Sequence, residues 1–159
     1  MVKIEVLIQE GKVSRIKELE LERYVNFFEN SCKDNLEHGE FARDIFPRWS
    51  IISGYYAMHD ITKLFLAKKF RLKIEFEVHA TTIKVLAELI KNKELLKLIK
   101  NGYMEFISLA NDLAESKKER TKAQYYTGTR FMKEHYKERA REFMATTVKP
   151  YLKKMERLL

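Results

Sequence analysis

The stretch Trp49-Ser-Ile-Ile-Ser-Gly-Tyr-Tyr-Ala-Met-His-Asp-Ile-Thr-Lys-Leu-Phe-Leu-Ala-Lys-Lys69 decides the reading of this chain. Trp49, Ile52, Tyr55, Tyr56, His59, Leu64 and Phe65 spread apolar character over a wide arc, as expected of a central helix packed on several neighbours. Pro47 fits a first helical turn, where its missing N–H has no intrahelical partner to lose, so the helix is predicted from about Phe46 to Lys69. Within such a helix His59 reads as a core histidine, not a catalyst.

Upstream, Val25, Phe28, Cys32 and Leu36 follow Leu21 at three- and four-residue steps, a helix stripe ending at a glycine stop near His38-Gly39. Residues 2–8 fit either alternation or a helical face, Gly11 interrupts both, and residues 1–16 stay undecided as an N-terminal extension. Downstream, a third helix starts near Val78, includes Ile83, Leu86 and Ile90, and ends about Asn92. A fourth carries Leu95, Ile99, Tyr103, Phe106, Ala110 and Leu113. A basic junction punctuated by Gly128 follows, and Thr129 opens a last helix striped by Tyr136, Ala140, Phe143, Thr147, Tyr151, Met155 and Leu159, which Pro150 should bend or break. The expectation is one all-α domain over 1–159, a four- to five-helix up-and-down bundle.

Composition agrees with long helices: 45% hydrophobic and 34% charged residues, with only 5 Gly and 2 Pro. Cys32 is the single cysteine, so no intramolecular disulfide and no paired-cysteine zinc site is possible, which points to a reducing, cytoplasmic setting. No stretch approaches 18 uncharged apolar residues; neither a signal peptide nor a membrane partner is expected. The net charge of +8 is unevenly placed: residues 1–115 balance 18 basic against 18 acidic, whereas 116–159 hold 13 against 5. Such a segment favours phosphate contacts, against the alternative of a merely solvated helix face. Glu75, Glu77 and His79 alternate, but with no second histidine at helical spacing they read as no metal site, and no cofactor is implied.

The stretch Trp49–Lys69, with its Tyr-Tyr-Ala-Met run, resembles the central helix of archaeal and bacterial HEPN proteins. Glu77-Val-His-Ala-Thr-Thr-Ile-Lys-Val-Leu86, Glu119-Arg-Thr-Lys-Ala-Gln-Tyr-Tyr126 and Ala140-Arg-Glu-Phe143 are similar, in order, to that family's next helix start, its junction after the fourth helix and its last helix. The likeness spans about residues 17–157. It implies a helical bundle, frequently a homodimer, that binds RNA or nucleotides, often paired as toxin with a minimal nucleotidyltransferase antitoxin, and in many members a metal-independent ribonuclease.

The family's catalytic signature is an arginine, four to six residues, then a histidine. Arg130-Phe-Met-Lys-Glu-His135 matches it, with Tyr136 next. An arginine fork can neutralise a scissile phosphate while a histidine moves a proton to or from a ribose hydroxyl. Inside a straight helix a five-residue step turns side chains about 140° apart, so this pair converges best across a helix start or between subunits. A second register is open: Arg120 with Tyr125 lies where the signature follows the fourth helix, and a tyrosine there implies binding without cutting. Lys117, Lys118, Arg120 and Lys122, interleaved with Tyr125 and Tyr126, read either as junction packing or as an RNA-binding and base-stacking strip. Tyr125, Tyr126 and Tyr136 are candidates for nucleotide attachment by the partner enzyme, and His79 is a candidate groove residue. The competing function is a noncatalytic helical module that binds a protein partner or a nucleotide.

Overall fold

A computed structural model describes residues 3–119 and 129–159, with side chains described up to residue 111 and from residue 134 onward. The architecture is an all-α multi-helix bundle: α1 (Ile4–Gln9), α2 (Glu18–Ala42), α3 (Pro47–Phe70), α4 (Val78–Leu89), α5 (Lys93–Glu119), α6 (Thr129–Phe143) and α7 (Lys149–Glu156), with a π-helical turn, Met144–Val148, between the last two. Among the described residues no helix is long and apolar enough to cross a membrane.

Helix α3 is the axle. Its buried residues run from Pro47 to Ala67 around the whole circumference, and it packs on α2, α4, α5, α6, the π-turn and α7. The wide apolar arc read from the sequence is the consequence of that surround. Phe46 stands as N-cap, Pro47 occupies the first turn, and Arg71 closes the helix in the left-handed region at φ 55°.

Gly39 does not stop α2, which continues to Ala42. The glycine serves contact instead: a Cβ there would sit 3.3 Å from the Ser50 carbonyl oxygen and 3.4 Å from the Gly54 nitrogen, so its absence lets α2 and α3 approach closely. Ser50 Oγ donates to the Gly39 carbonyl at 2.6 Å across the same contact. A buried polar knot ties the pair further along, where Asp60 accepts from Ser31 Oγ at 2.7 Å and Asn35 Nδ2 at 2.9 Å.

The undecided N-terminus resolves into both alternatives in succession. Ile4–Gln9 is a short helix that buries Leu7, Gly11 turns the chain at φ 69°, and β1 (Val13–Arg15) pairs antiparallel with β2 (Leu72–Ile74) in the register Val13↔Ile74. This ribbon clips the first residues to the end of α3, and Val13, Leu72 and Ile74 join the core.

The effect of Pro150 is felt one turn upstream. The ring cannot supply the N–H an α-helix requires, and the backbone widens into the π-turn before resuming at α7 with Pro150 in its first turn. Met144, Thr147 and Val148 stay buried through the change, so the apolar stripe remains in phase and Tyr151, Leu152 and Met155 reach the core.

Candidate functional site

Two histidine-bearing places merit description. The first is the outer flank of α6. Tyr136 points inward and is 5% exposed, with the Arg48 guanidinium 5.5 Å and the Arg139 guanidinium 5.7 Å from its ring centroid. Arg139 is itself held by Glu105 and by Ser108 Oγ, the latter at 2.9 Å, which fixes α6 against α5. His135 is exposed, its ring edge-on to Tyr136 at 5.6 Å.

Four further cations of the C-terminal helices have acidic partners, three of them from the neutral part of the chain. Arg141 bonds Asp44 at 2.9 Å, Lys149 pairs with Glu40 at 2.5 Å and Lys154 with Glu94 at 2.9 Å, while Lys137 pairs locally with Glu134 at 2.8 Å. These exposed pairs contribute little stability each, but they lower the local positive potential. The charge then divides unequally: residues 134–159 carry seven basic against four acidic side chains, and residues 117–133 carry six against one.

Arg130 lies in α6 by backbone, so it and His135 are five helical residues apart within one helix beginning at Thr129. A step of this length turns by about 140°, and the two positions diverge within one chain. The side chains of Lys117, Lys118 and Arg130 lie outside the described residues, as do Arg120, Lys122, Tyr125 and Tyr126 altogether.

The second place is built on α3, α4 and α5. Tyr55 is fully buried and its hydroxyl meets His79 Nδ1 at 2.7 Å. The His79 ring stacks on Tyr103 at 5.7 Å and lies 4.9 Å from the His59 ring, with Phe106 stacked on Tyr55 at 4.8 Å. Four-residue spacing on α3 places Tyr55 and His59 on one face, and Glu77, in the left-handed region at φ 48°, starts α4 so that His79 falls in its first turn. His79 lines a shallow groove of about 420 Å³ with Glu77, Val78, Ala80, Lys84 and Tyr103.

Electrostatics keep this cluster neutral. Burial, with Lys63 and His79 adding to it, lowers the His59 pKa to about 3. Burial and Lys63 also hold His79 below its ordinary value, and burial raises Tyr55. Tyr55 therefore orients a neutral imidazole, as a third group orients the base in a triad, and leaves Nε2 as the nitrogen it does not engage. Such a nitrogen can exchange a hydrogen bond or one proton with a molecule in the groove. Among the described residues, His59 Nε2 is buried with no hydrogen-bond partner.

Among the described residues no three metal-ligating side chains converge. The alternating acids are otherwise occupied: Glu75 accepts from Ser14 Oγ at 2.6 Å, and Glu77 pairs with Lys12 at 2.9 Å. Among the described residues His79 and His135 share no ring or hydrogen-bond partner. Sequence reasoning did not single out Arg48 or Tyr55. Tyr55 could have been found from its four-residue spacing to His59; Arg48 carries no such signal.

Comparison with known proteins adds no family: no family model matches the chain, and no curated protein and no solved structure is significantly similar to it.

Proposed function

We propose that this chain is a HEPN-type protein that binds RNA, or a phosphate-bearing nucleotide, through the basic segment 117–133 and the adjoining outer flank of α6. The observation that carries the reading is the placement of charge. Six basic residues face one acid in 117–133, whereas the cations farther along are largely paired with Asp44, Glu40, Glu94 and Glu105. A run so rich in basic residues neutralises phosphates and releases their counterions. Lys117, Lys118, Arg120 and Lys122 supply phosphate contacts, and Tyr125 and Tyr126 supply rings for bases.

Cleavage is the catalytic extension of the same reading. His135 is exposed on α6, the helix that follows this segment in the chain, and an imidazole is a chemical type that serves as general base or acid. Because positions 130 and 135 diverge within one helix, a phosphate held by Arg130 of one subunit would meet His135 of another, which makes a homodimer part of the proposal. A minimal nucleotidyltransferase is the antitoxin partner implied by the resemblance, with Tyr125 and Tyr126 as acceptors.

Filter binding at low salt tests the core of this reading: single-stranded RNA should be retained, and released as salt rises. No retention at low salt would reject it. His135→Ala should abolish cleavage while leaving the thermal transition unchanged; equal cleavage by both proteins would reject the catalytic assignment. The second reading, a noncatalytic interaction module, is favoured by Tyr125 standing where the junction register places the histidine, and it predicts RNA retention without cleavage or co-purification with a protein partner alone.

A further inference from the structure

The corner between α2 and α3 presents four large apolar side chains to solvent within nine residues: Phe41 (70% exposed), Ile45 (46%), Phe46 (58%) and Trp49 (59%). Three are aromatic. The backbone under them is tightly bonded, since the Ala42 carbonyl accepts from Phe46 N at 2.7 Å and Ile45 N at 3.2 Å, and the Phe46 carbonyl accepts from Trp49 N at 2.9 Å. Ala42, Pro47 and Ser50 are buried directly beneath, so the rings project from a fixed base. Among the described residues nothing covers them, and burying them would be favourable.

Their surroundings specify what fits. Arg43, Arg48 and Arg141 rim the corner; Asp44 is engaged by Arg43 at 3.2 Å and by Arg141 at 2.9 Å, and Glu40, beside Phe41, by Lys149 at 2.5 Å, so four basic side chains stand against two acids. The Asp44–Arg141 bond and the Arg48–Tyr136 contact join the corner to α6, the helix whose opposite end leads into segment 117–133. Exposed rings beside guanidinium groups match a strand that offers bases and phosphates together. Base–aromatic stacking tolerates any sequence, because every base has a π-face, and fixed rings lose little freedom on binding. A protein partner would find the same rings, but the cationic rim favours a polyanion.

We infer that Phe41, Phe46 and Trp49 form a base-stacking platform for single-stranded RNA, with Arg43, Arg48 and Arg141 placed for the phosphates between stacked bases. This rests on the RNA-binding reading above and adds to it a place on the described surface. It also gives the exposed corner a role that the junction segment does not supply.

Trp49 is the only tryptophan, so emission excited at the red edge, beyond tyrosine absorption, reports on this corner alone. Titrating the intact chain with a twelve-nucleotide oligoadenylate at low salt should quench that emission saturably, at the concentrations that give filter retention. Phe46→Leu and Trp49→Ala should each weaken retention by about fivefold or more, the loss expected for one stacked base. Phe46→Tyr, which keeps the π-face, should bind like the parent, and Leu19→Ala, at a residue 98% exposed on the start of α2, should change nothing. Parent-like melting of Phe46→Tyr and Phe46→Leu keeps the comparison one of ring chemistry. Full retention by Phe46→Leu, or emission that follows the protein's own concentration and ignores RNA, would overturn the platform while leaving RNA binding intact; the second outcome marks a contact between copies. Absence of retention by every variant and the parent would instead overturn the broader reading, and the platform with it.

Discussion

His59 shows how much one buried side chain can set. Its ring is kept neutral by burial, with a folded pKa of about 3 against an ordinary 6.5. The folded value is depressed, so the unfolded chain binds the extra proton between those limits, and stability present above pH 6.5 is lost as pH falls toward 3. The loss should approach about 1 kcal/mol per pH unit across the middle of that window. His79 acts in the same direction, whereas Asp60, whose pKa burial raises, opposes it at the acid end. Thermal melts at pH 7 and pH 5 should show a clear drop for the parent and a smaller one for His59→Phe; identical drops would place the acid sensitivity elsewhere. A second residue-scale prediction concerns Thr62 and Tyr151, whose buried hydroxyls meet at 2.6 Å while Thr62 also donates to the Met58 carbonyl at 2.7 Å. Tyr151→Phe removes a donor and should cost about 1 kcal/mol; Thr62→Val strands the Tyr151 hydroxyl in the core and should cost more, about 1–3 kcal/mol, both read from denaturant midpoints.

At the scale of elements, the stripes on α2, α3, α4 and α5 were legible because three- and four-residue apolar steps have one physical cause, a buried helix face. What escaped the sequence was long-range. Gly39 looked like a helix stop because glycine usually ends helices; only the neighbouring helix reveals that close approach to Ser50 and Gly54 is its reason. The β1–β2 ribbon joins three-residue strands too short to show alternation, some 60 residues apart. Pro150 was readable as a disturbance, but not that a π-turn would absorb it and keep Tyr151 and Met155 in phase. Helix α3 meets the C-terminal elements closely at Gly54, where an added Cβ would lie 2.7 Å from Met144 Sδ and 2.9 Å from Val148 Cγ2. Gly54→Ala should therefore destabilise by about 1–3 kcal/mol through overpacking, although alanine favours helices; a stabilised variant would mean that the π-turn yields readily.

Over the whole molecule, the candidate site was legible in chemistry and not in place. The sequence located the basic excess in the last 44 residues, but the ion pairs that α6 and α7 make with Asp44, Glu40, Glu94 and Glu105 depend on which helices meet. Arg130 and His135 matched a spacing in sequence, while the helix containing both sets them on divergent positions. The aromatic corner was missed because Phe41, Ile45, Phe46 and Trp49 look like core residues until the fold leaves them outside. The most direct test of the central claim is the salt dependence of RNA binding, compared between the parent and a variant with Lys117, Lys118, Arg120 and Lys122 all changed to glutamine. For a single strand, the slope of log affinity against log salt becomes shallower by about 0.7 for each phosphate that a basic residue ceases to neutralise, so the variant's slope should be shallower by up to about 3. An unchanged slope would mean that these four residues neutralise no phosphates, and would contradict the account.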